Sequence, residues 1–324
     1  MVMLVKYYIF HGRGVRNVNI SAIEIGTNSI KMIIVQKNGI NDYSTLVKKS
    51  VVNRLSNKMY NNEKFISEES MRKTIDIIGE FSKEIEQHQA VLIGIFATSV
   101  LRDAKNRQEF LEQVKIRYSY SIQIISGEEE AELAYKACLN NIKNKSDEFI
   151  VIDIGGGSTE VIMGNNSYME KCISIDVGAV RLTELFVKND DIHQENVNDM
   201  KNYINEKLRE VNFDIPKKIK LIATGGTIKT IGTMALEVDF SKEEEVNGKK
   251  ILIDKIQDIF NHLISMKIDE RKKVLGLNPK RADVIVAGIE ILLCIMNHYE
   301  INELIISSNG VLDGIVQDYL SKLA

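Results

Sequence analysis

A chain of 324 residues is long enough for two domains or one large one, and it can bury a sizeable core. With 44% hydrophobic and 27% charged residues, its composition excludes disorder, collagen and coiled coil as descriptions of the whole. Lys plus Arg total 42 against 45 Asp plus Glu, and the resulting net charge of −3 argues against a protein that coats nucleic acid. In chain order, residues 20–25 and 31–36 are predicted as β-branched strands around a turn at Gly26-Thr27-Asn28-Ser29. Residues 62–87 are predicted as a helix, because Ile75, Ile78, Phe81 and Ile85 fall on one face. A strand at 91–96, a helix at 103–114, a strand at 122–125 and a helix at 128–138 follow. The pattern then restarts with a strand at 149–154, a Gly155-Gly156-Gly157-Ser158 turn and a strand at 159–163. A helix at 196–208 and a strand at 220–223 come next, the strand ending in a glycine turn at Gly225-Gly226. Helices at 251–264 and 282–298, a strand at 304–307 and a helix at 311–320 close the chain. Strands alternating with helices predict an α/β architecture.

One internal echo organises this pattern. Ile23-Glu24-Ile25-Gly26-Thr27-Asn28-Ser29 and Ile152-Asp153-Ile154-Gly155-Gly156-Gly157-Ser158 share an order of apolar, acidic, apolar, glycine and small residues. A duplicated domain with two turns facing across a cleft would produce it. Without Cβ atoms, such turns let the backbone approach an anion and converge its N–H groups on phosphate oxygens. An acid at the end of the preceding strand can hold Mg²⁺ on that phosphate. A single turn of this kind is more often just a tight hairpin. Two with matching acids, plus Thr224-Gly225-Gly226-Thr227, favour phosphate binding.

Two further constellations stand beside the turns. In Ser126-Gly127-Glu128-Glu129-Glu130-Ala131, Ser126 and Glu129 read as a helix capping box and Glu128 as a solvated charge. Glu130 has no such role, and a carboxylate there could take a proton from an attacking water. In Ala97-Thr98-Ser99-Val100-Leu101-Arg102, a strand end delivers Arg102 at the start of a helix, where it could neutralise a transferring phosphoryl group. By itself, an arginine that merely caps a carboxylate is the commoner case.

Seven blocks, taken together, resemble a known family: IEIGTNSIK (23–31), ATSVLRDAKN (97–106), ISGEEEAEL (125–133), VIDIGGGSTEV (151–161), VGAVRLTE (177–184), ATGGT (223–227) and GLNPKRADVIVAG (276–288). They are similar, in order, to the exopolyphosphatase / guanosine pentaphosphate phosphohydrolase (Ppx/GppA) family, over roughly residues 19–320. The resemblance implies two duplicated actin-like ATPase (ribonuclease H-like) α/β domains around an interdomain cleft. They are expected at residues 1–130 and 131–310, with the closing helix 311–324 packing back on the first. It also implies a Mg²⁺-dependent hydrolase of terminal phosphoanhydrides, with Glu130 as catalytic base and Arg102 on the phosphate. Phosphate contacts would come from Gly26, Thr27, Asn28, Ser29, Lys31, Gly155, Gly156, Gly157, Ser158, Thr159, Gly225 and Gly226. Metal-side acids would be Glu24, Asp153 and Glu160. Three departures stand out: Glu24 where the family usually has Asp, Lys31 where Arg is common, and Leu312 where an Arg is usual.

The expected substrate is inorganic polyphosphate, with guanosine pentaphosphate or a nucleoside triphosphate as alternatives within the enzyme class. A polyphosphate- or nucleotide-binding switch without turnover is the alternative from another class, and the Glu24 departure keeps it open. The resemblance connects the protein to the stringent response and leaves room for a homodimer. Its length corresponds to the family's short two-domain form. Three widely spaced cysteines, Cys138, Cys172 and Cys294, suit neither a metal site nor a disulfide framework, and point to a reducing cytoplasm. No apolar run is long enough to span a bilayer, and no cleavage site follows the apolar but lysine-containing N-terminus. No membrane or nucleic-acid partner is expected. Basic runs at Lys217, Lys218 and Lys220, at Arg271, Lys272 and Lys273, and at Lys280 and Arg281 are candidates for holding a polyanion, or simply solvated faces.

Overall fold

The computed structural model describes residues 18–39, 42–61, 63–139, 148–187, 192–211, 213, 215, 216 and 219–323. The chain before residue 18, and Lys217 and Lys218, lie outside the described residues. The chain divides into two units. One holds residues 1–59, 64–126 and 311–324, the other residues 60–63 and 127–310. The division at 126/127 falls four residues before the boundary expected from sequence and assigns Glu130 to the second unit.

In the first unit, β1 (Asn19–Ile25), β2 (Ser29–Lys37) and β3 (Tyr43–Val52) form an antiparallel meander. Helix α1 (Glu68–Gln87) follows. Its Ser67 cap accepts from the Ser70 amide, and Ile75, Ile78, Phe81 and Ile85 are all buried. Strand β4 (Val91–Ala97) runs parallel to β1. Then come α2 (Ser99–Asp103), α3 (Arg107–Tyr118) and β5 (Ile122–Ile124), the last parallel to β4. The sheet order is β3-β2-β1-β4-β5.

The second unit begins with α4 (Gly127–Leu139) and repeats the meander as β6 (Glu148–Ile154), β7 (Thr159–Asn165) and β8 (Met169–Ile175). Helices α5 (Ala179–Phe186) and α6 (Gln194–Leu208) lead to β9 (Lys220–Thr224), parallel to β6. After α7 (Gly226–Ala235) come β10 (Lys250–Leu252), α8 (Ile253–Ile264), the short α9 (Ile268–Arg271), α10 (Ile285–His298) and β11 (Glu303–Ile306). The sheet order is β10-β11-β9-β6-β7-β8. Apart from the added β10, it reproduces the first sheet strand for strand, which is the duplicated ribonuclease H-like plan implied by the resemblance. Helix α10 is buried from Ile285 to Met296, as a helix apolar on all sides must be. Helix α11 (Val311–Ser321) closes the chain against β1 and β2 of the first unit.

Several local expectations are corrected. Strands β3 and β8 were not expected, and both are sheet edges with half-exposed, lysine-bearing patterns that dilute the apolar alternation. The predicted 103–114 helix is broken at Ala104, whose backbone is extended (φ −66°, ψ 124°), giving α2 and α3 instead. Arg102 therefore stands in the last turn of a short helix, not at the start of a long one. Residues 251 and 252 belong to β10 and not to the following helix. Helix α7, rich in Gly, Thr and Ile, forms against its intrinsic preference because Gly232 lets it pack closely on Ile306 and Val246. Cys138 and Cys294 are buried and Cys172 is half-buried, and none of the three forms a disulfide among the described residues.

Candidate active site

The two echoing turns have the same construction. Gly26 N donates to Ser29 O at 2.9 Å, and Gly155 N donates to Ser158 O at 3.0 Å. Neither glycine could carry a side chain without pressing on that oxygen, since a Cβ would lie 3.0 Å from Ser29 O and 2.9 Å from Ser158 O. In each turn the carbonyls are bound from behind. Thr27 O accepts from Ser56 N and Oγ, and Asn28 O accepts from Asn53 N and Arg54 N. In the second turn, Gly155 O accepts from Ala179 N at 3.0 Å, and Gly156 O from Val180 N at 2.9 Å and Arg181 N at 3.0 Å. The amides of Thr27, Asn28, Gly156 and Gly157 are left with no hydrogen-bond acceptor among the described residues. Asn28 adds a buried Nδ2 that is likewise unpartnered among them. Consecutive free donors with their carbonyls turned away are an anion-binding arrangement.

The second turn is flanked by a row of acids. Asp153 on β6 faces Glu160 on β7, and Glu160 faces Ser174 on β8. Glu160 is fully buried. Its Oε1 accepts from Ser158 Oγ at 2.9 Å and from Ser174 Oγ at 2.7 Å, while its Oε2 is buried without a partner among the described residues. Burial first, then the charges of Glu130 and Asp153, push the Glu160 carboxyl well above the ordinary range. Glu130 is buried in the first turn of α4. That helix seats close to β8 because Gly127 has no side chain, and a Cβ there would lie 2.5 Å from Ser174 Cβ. Gly225, at φ +102°, brings the third glycine turn against Asp153, with a Cβ position 2.9 Å from its Oδ1. Among the described residues, no group of three or more His, Cys, Asp or Glu side chains is arranged to hold a metal ion.

Residues of the first unit occupy equivalent positions with different partners. Glu24 faces Lys31 across β1 and β2, and Lys31 Nζ donates to Glu24 Oε1 at 2.8 Å. Glu24 Oε2 is buried without a partner among the described residues. Arg102 is half-buried, and its Nη1 donates to Ile125 O at 3.0 Å. The basic runs fare unevenly. Arg271 is buried with Nε on Leu263 O at 2.9 Å, which removes it from the polyanion candidates, and Lys272 pairs with Asp269 at 2.9 Å. Arg281 lies over the start of α7, where a Cβ on Gly226 would collide with its guanidinium. Burial lowers its pKa, while Glu243 and Asp283 work in the opposite direction. Leu312 is buried in α11, a packing position, and its neighbour Asp313 pairs with Lys48 at 3.0 Å.

Sequence reasoning assigned no role to Ser174, Gly178 or Arg181. Ser174 would have followed from strand register had edge strand β8 been read. The other two lay inside the matched VGAVRLTE block. Gly178 is required by contact: a Cβ there would overlap the Gly156 carbonyl and lie 2.5 Å from the Gly157 carbonyl carbon. Gly178→Ala is therefore expected to displace the glycine loop and destabilise the protein by about 1–3 kcal/mol, the cost of overpacking. Thermal unfolding measures it, and an unchanged midpoint with unchanged phosphate binding would contradict the fit.

The family model described as the Ppx/GppA phosphatase family matches residues 33–323. A bifunctional 3-dehydroquinate synthase/phosphatase of Fusobacterium nucleatum is 30% identical over 306 residues, covering 91% of this chain and 46% of that protein. The chain thus spans about half the length of that relative. Exopolyphosphatase 2 of Mycobacterium tuberculosis is 25% identical over 310 residues, covering 91% of this chain and 97% of that one. Among solved structures, the PPX-GPPA enzyme of Aquifex aeolicus aligns with a TM-score of 0.77 at 30% identity, covering 94% of this chain and 100% of its own.

Proposed function

Because the chain belongs to the Ppx/GppA phosphatase family, we propose that it is a Mg²⁺-dependent exopolyphosphatase that removes terminal orthophosphate from inorganic polyphosphate. The observation that carries this reading is the glycine loop of the second unit, two free backbone amides beside the facing buried carboxylates of Asp153 and Glu160, whose charge Glu130 also feels. Phosphoryl transfer needs little covalent chemistry from a protein, and positioning with charge neutralisation supplies most of the rate.

In this mechanism the amides of Gly156 and Gly157 hold the terminal phosphoryl oxygens. Glu130 orients a water and accepts its proton as the water oxygen bonds to phosphorus. The bridging P–O bond breaks on the opposite side, the shortened chain leaves with the bridging oxygen, and orthophosphate is released. Asp153 and Glu160 fit a Mg²⁺ ion, since Glu160 has a buried oxygen without a partner next to a second acid. Two carboxylates with substrate oxygens and water are a usual Mg²⁺ complement. When bound, the ion supplies positive charge against the phosphoryl oxygens. Glu24 fits less well, because Lys31 already neutralises it. In the first unit, Arg102, Lys31 and the amides of Thr27 and Asn28 are that unit's phosphate-binding candidates.

Phosphate release by purified protein from long polyphosphate, tripolyphosphate, guanosine pentaphosphate and ATP, with Mg²⁺ and with chelator, tests the reading. Fastest release from polyphosphate, lost in chelator, is the expected result. A preference for guanosine pentaphosphate or ATP would move the substrate. Binding without release from any of the four would make the protein a ligand-sensing switch.

A further inference from the structure

The carbonyl side of the second glycine loop is held partly by a buried charge. Arg181, on α5, is 5% exposed. Its Nε donates to Gly157 O at 2.6 Å and its Nη2 to Asp176 Oδ1 at 3.0 Å. The guanidinium lies over the Tyr60 ring, 4.5 Å from the centroid. Tyr60 belongs to the segment 60–63, which is part of the second unit although the residues on either side of it in sequence belong to the first. The segment is fastened to α5. Tyr60 N donates to Glu184 Oε2 at 2.9 Å, and Asn61 Nδ2 donates to Glu184 O at 2.5 Å.

Withdrawing a guanidinium from water is costly unless its donors are met. Here a planar fork meets a carbonyl and a carboxylate while a ring covers its face, a geometry that a lysine ammonium does not reproduce. The loop's three carbonyls are thus each bound from behind: Gly155 O by Ala179 N, Gly156 O by Val180 and Arg181 N, and Gly157 O by the Arg181 side chain. A donor on a carbonyl polarises its peptide and strengthens the next N–H as a donor. Those next amides are Gly156, Gly157 and Ser158 in turn. Of the donors behind the loop, the guanidinium is the charged one, and charge-assisted bonds are about twice as strong as neutral ones.

We propose that Arg181 is a positioning residue for phosphate binding: it anchors the Gly157 carbonyl, with Tyr60 stacked on its outer face, so that the loop presents its amides to the phosphate. This rests on the reading of the loop as a phosphate cradle. Arg181 touches no substrate in this arrangement and acts through the loop. The chemistry served is binding of an oligophosphate terminus.

The test is tripolyphosphate affinity by calorimetry in a Glu130→Gln background, which removes turnover, together with steady-state kinetics in the otherwise unaltered enzyme. Arg181→Lys is expected to weaken binding at least about tenfold, the loss of a hydrogen bond to a charged group. KM rises by a similar factor, with kcat changed less than about threefold. Tyr60→Leu is expected to weaken binding in the same direction, and Tyr60→Phe to restore it. Unchanged affinity in Arg181→Lys at an unchanged melting temperature overturns the proposal. So does a fall in kcat at constant KM, which would place the group in the transition state. If Arg181→Lys fails to fold, Tyr60→Leu decides: weaker binding by a folded variant supports the proposal, and wild-type binding overturns it. Absence of tripolyphosphate binding with Arg181 intact is a different result, because it removes the phosphate-cradle reading itself.

Discussion

Glu130→Gln is expected to lower phosphate release by at least about two orders of magnitude while leaving the fold intact, the usual contribution of a positioned general base. The expectation comes from its surroundings. Glu130 is buried in the first turn of α4, a helix whose close seat on β8 depends on the bare Cα of Gly127. Its charge reaches Glu160, so it stands near the acids that flank the glycine loop. Glutamine keeps the volume and one acceptor but cannot take a proton. Unaltered melting with lost turnover and retained tripolyphosphate binding would separate the chemical role from a structural one. Wild-type turnover in this variant would remove Glu130 as the base.

Glu160→Gln is expected to pull activity and stability in opposite directions. The Glu160 carboxyl titrates well above the ordinary range, first because it is buried and then because Glu130 and Asp153 repel its charge. A carboxyl whose folded pKa is raised binds more protons in the folded than in the unfolded chain. Stability therefore falls as pH rises from the ordinary glutamate value, about 4.3, toward the folded one. In chelator, the wild-type melting temperature should decline between pH 5 and pH 8, and the variant should decline less. At pH 8 the variant should melt higher, by roughly 2–4 °C for each kcal/mol recovered. Adding Mg²⁺ at pH 8 should raise the wild-type midpoint more than the variant's, and turnover of the variant should drop. An identical pH slope in both proteins would mean that Glu160 is not the group under strain.

The parts of this site that the sequence made legible are those with a dense local signal. The shared pattern at 23–29 and 152–158 implied matching turns, and the structure gives both the same bond from a glycine amide to the serine carbonyl three residues on. Glu130 stood out because Ser126 and Glu129 read as a capping box and left their neighbour without a role. What stayed hidden depends on contacts distant in sequence. Ser174 acquires meaning only when β8 is aligned with β7, and β8 is an edge strand whose exposed face breaks the alternation. Arg181 reads as one more basic residue until Gly157 O and the Tyr60 ring close around it. The Arg271 run shows the reverse error, since a basic triplet on paper contains one side chain buried against Leu263 O.

The two turns differ most sharply at a single register position. Glu24 faces Lys31 in one half, and Asp153 faces Glu160 in the other. With all four groups ionised, the first pair sums to zero and the second to two negative charges. Lysine and glutamate codons differ by a single first-position base, so one transition suffices to turn an internally neutralised copy of the motif into one with two facing carboxylates. Lys31→Glu would rebuild the acidic version in the first half, and Glu160→Lys the neutral version in the second.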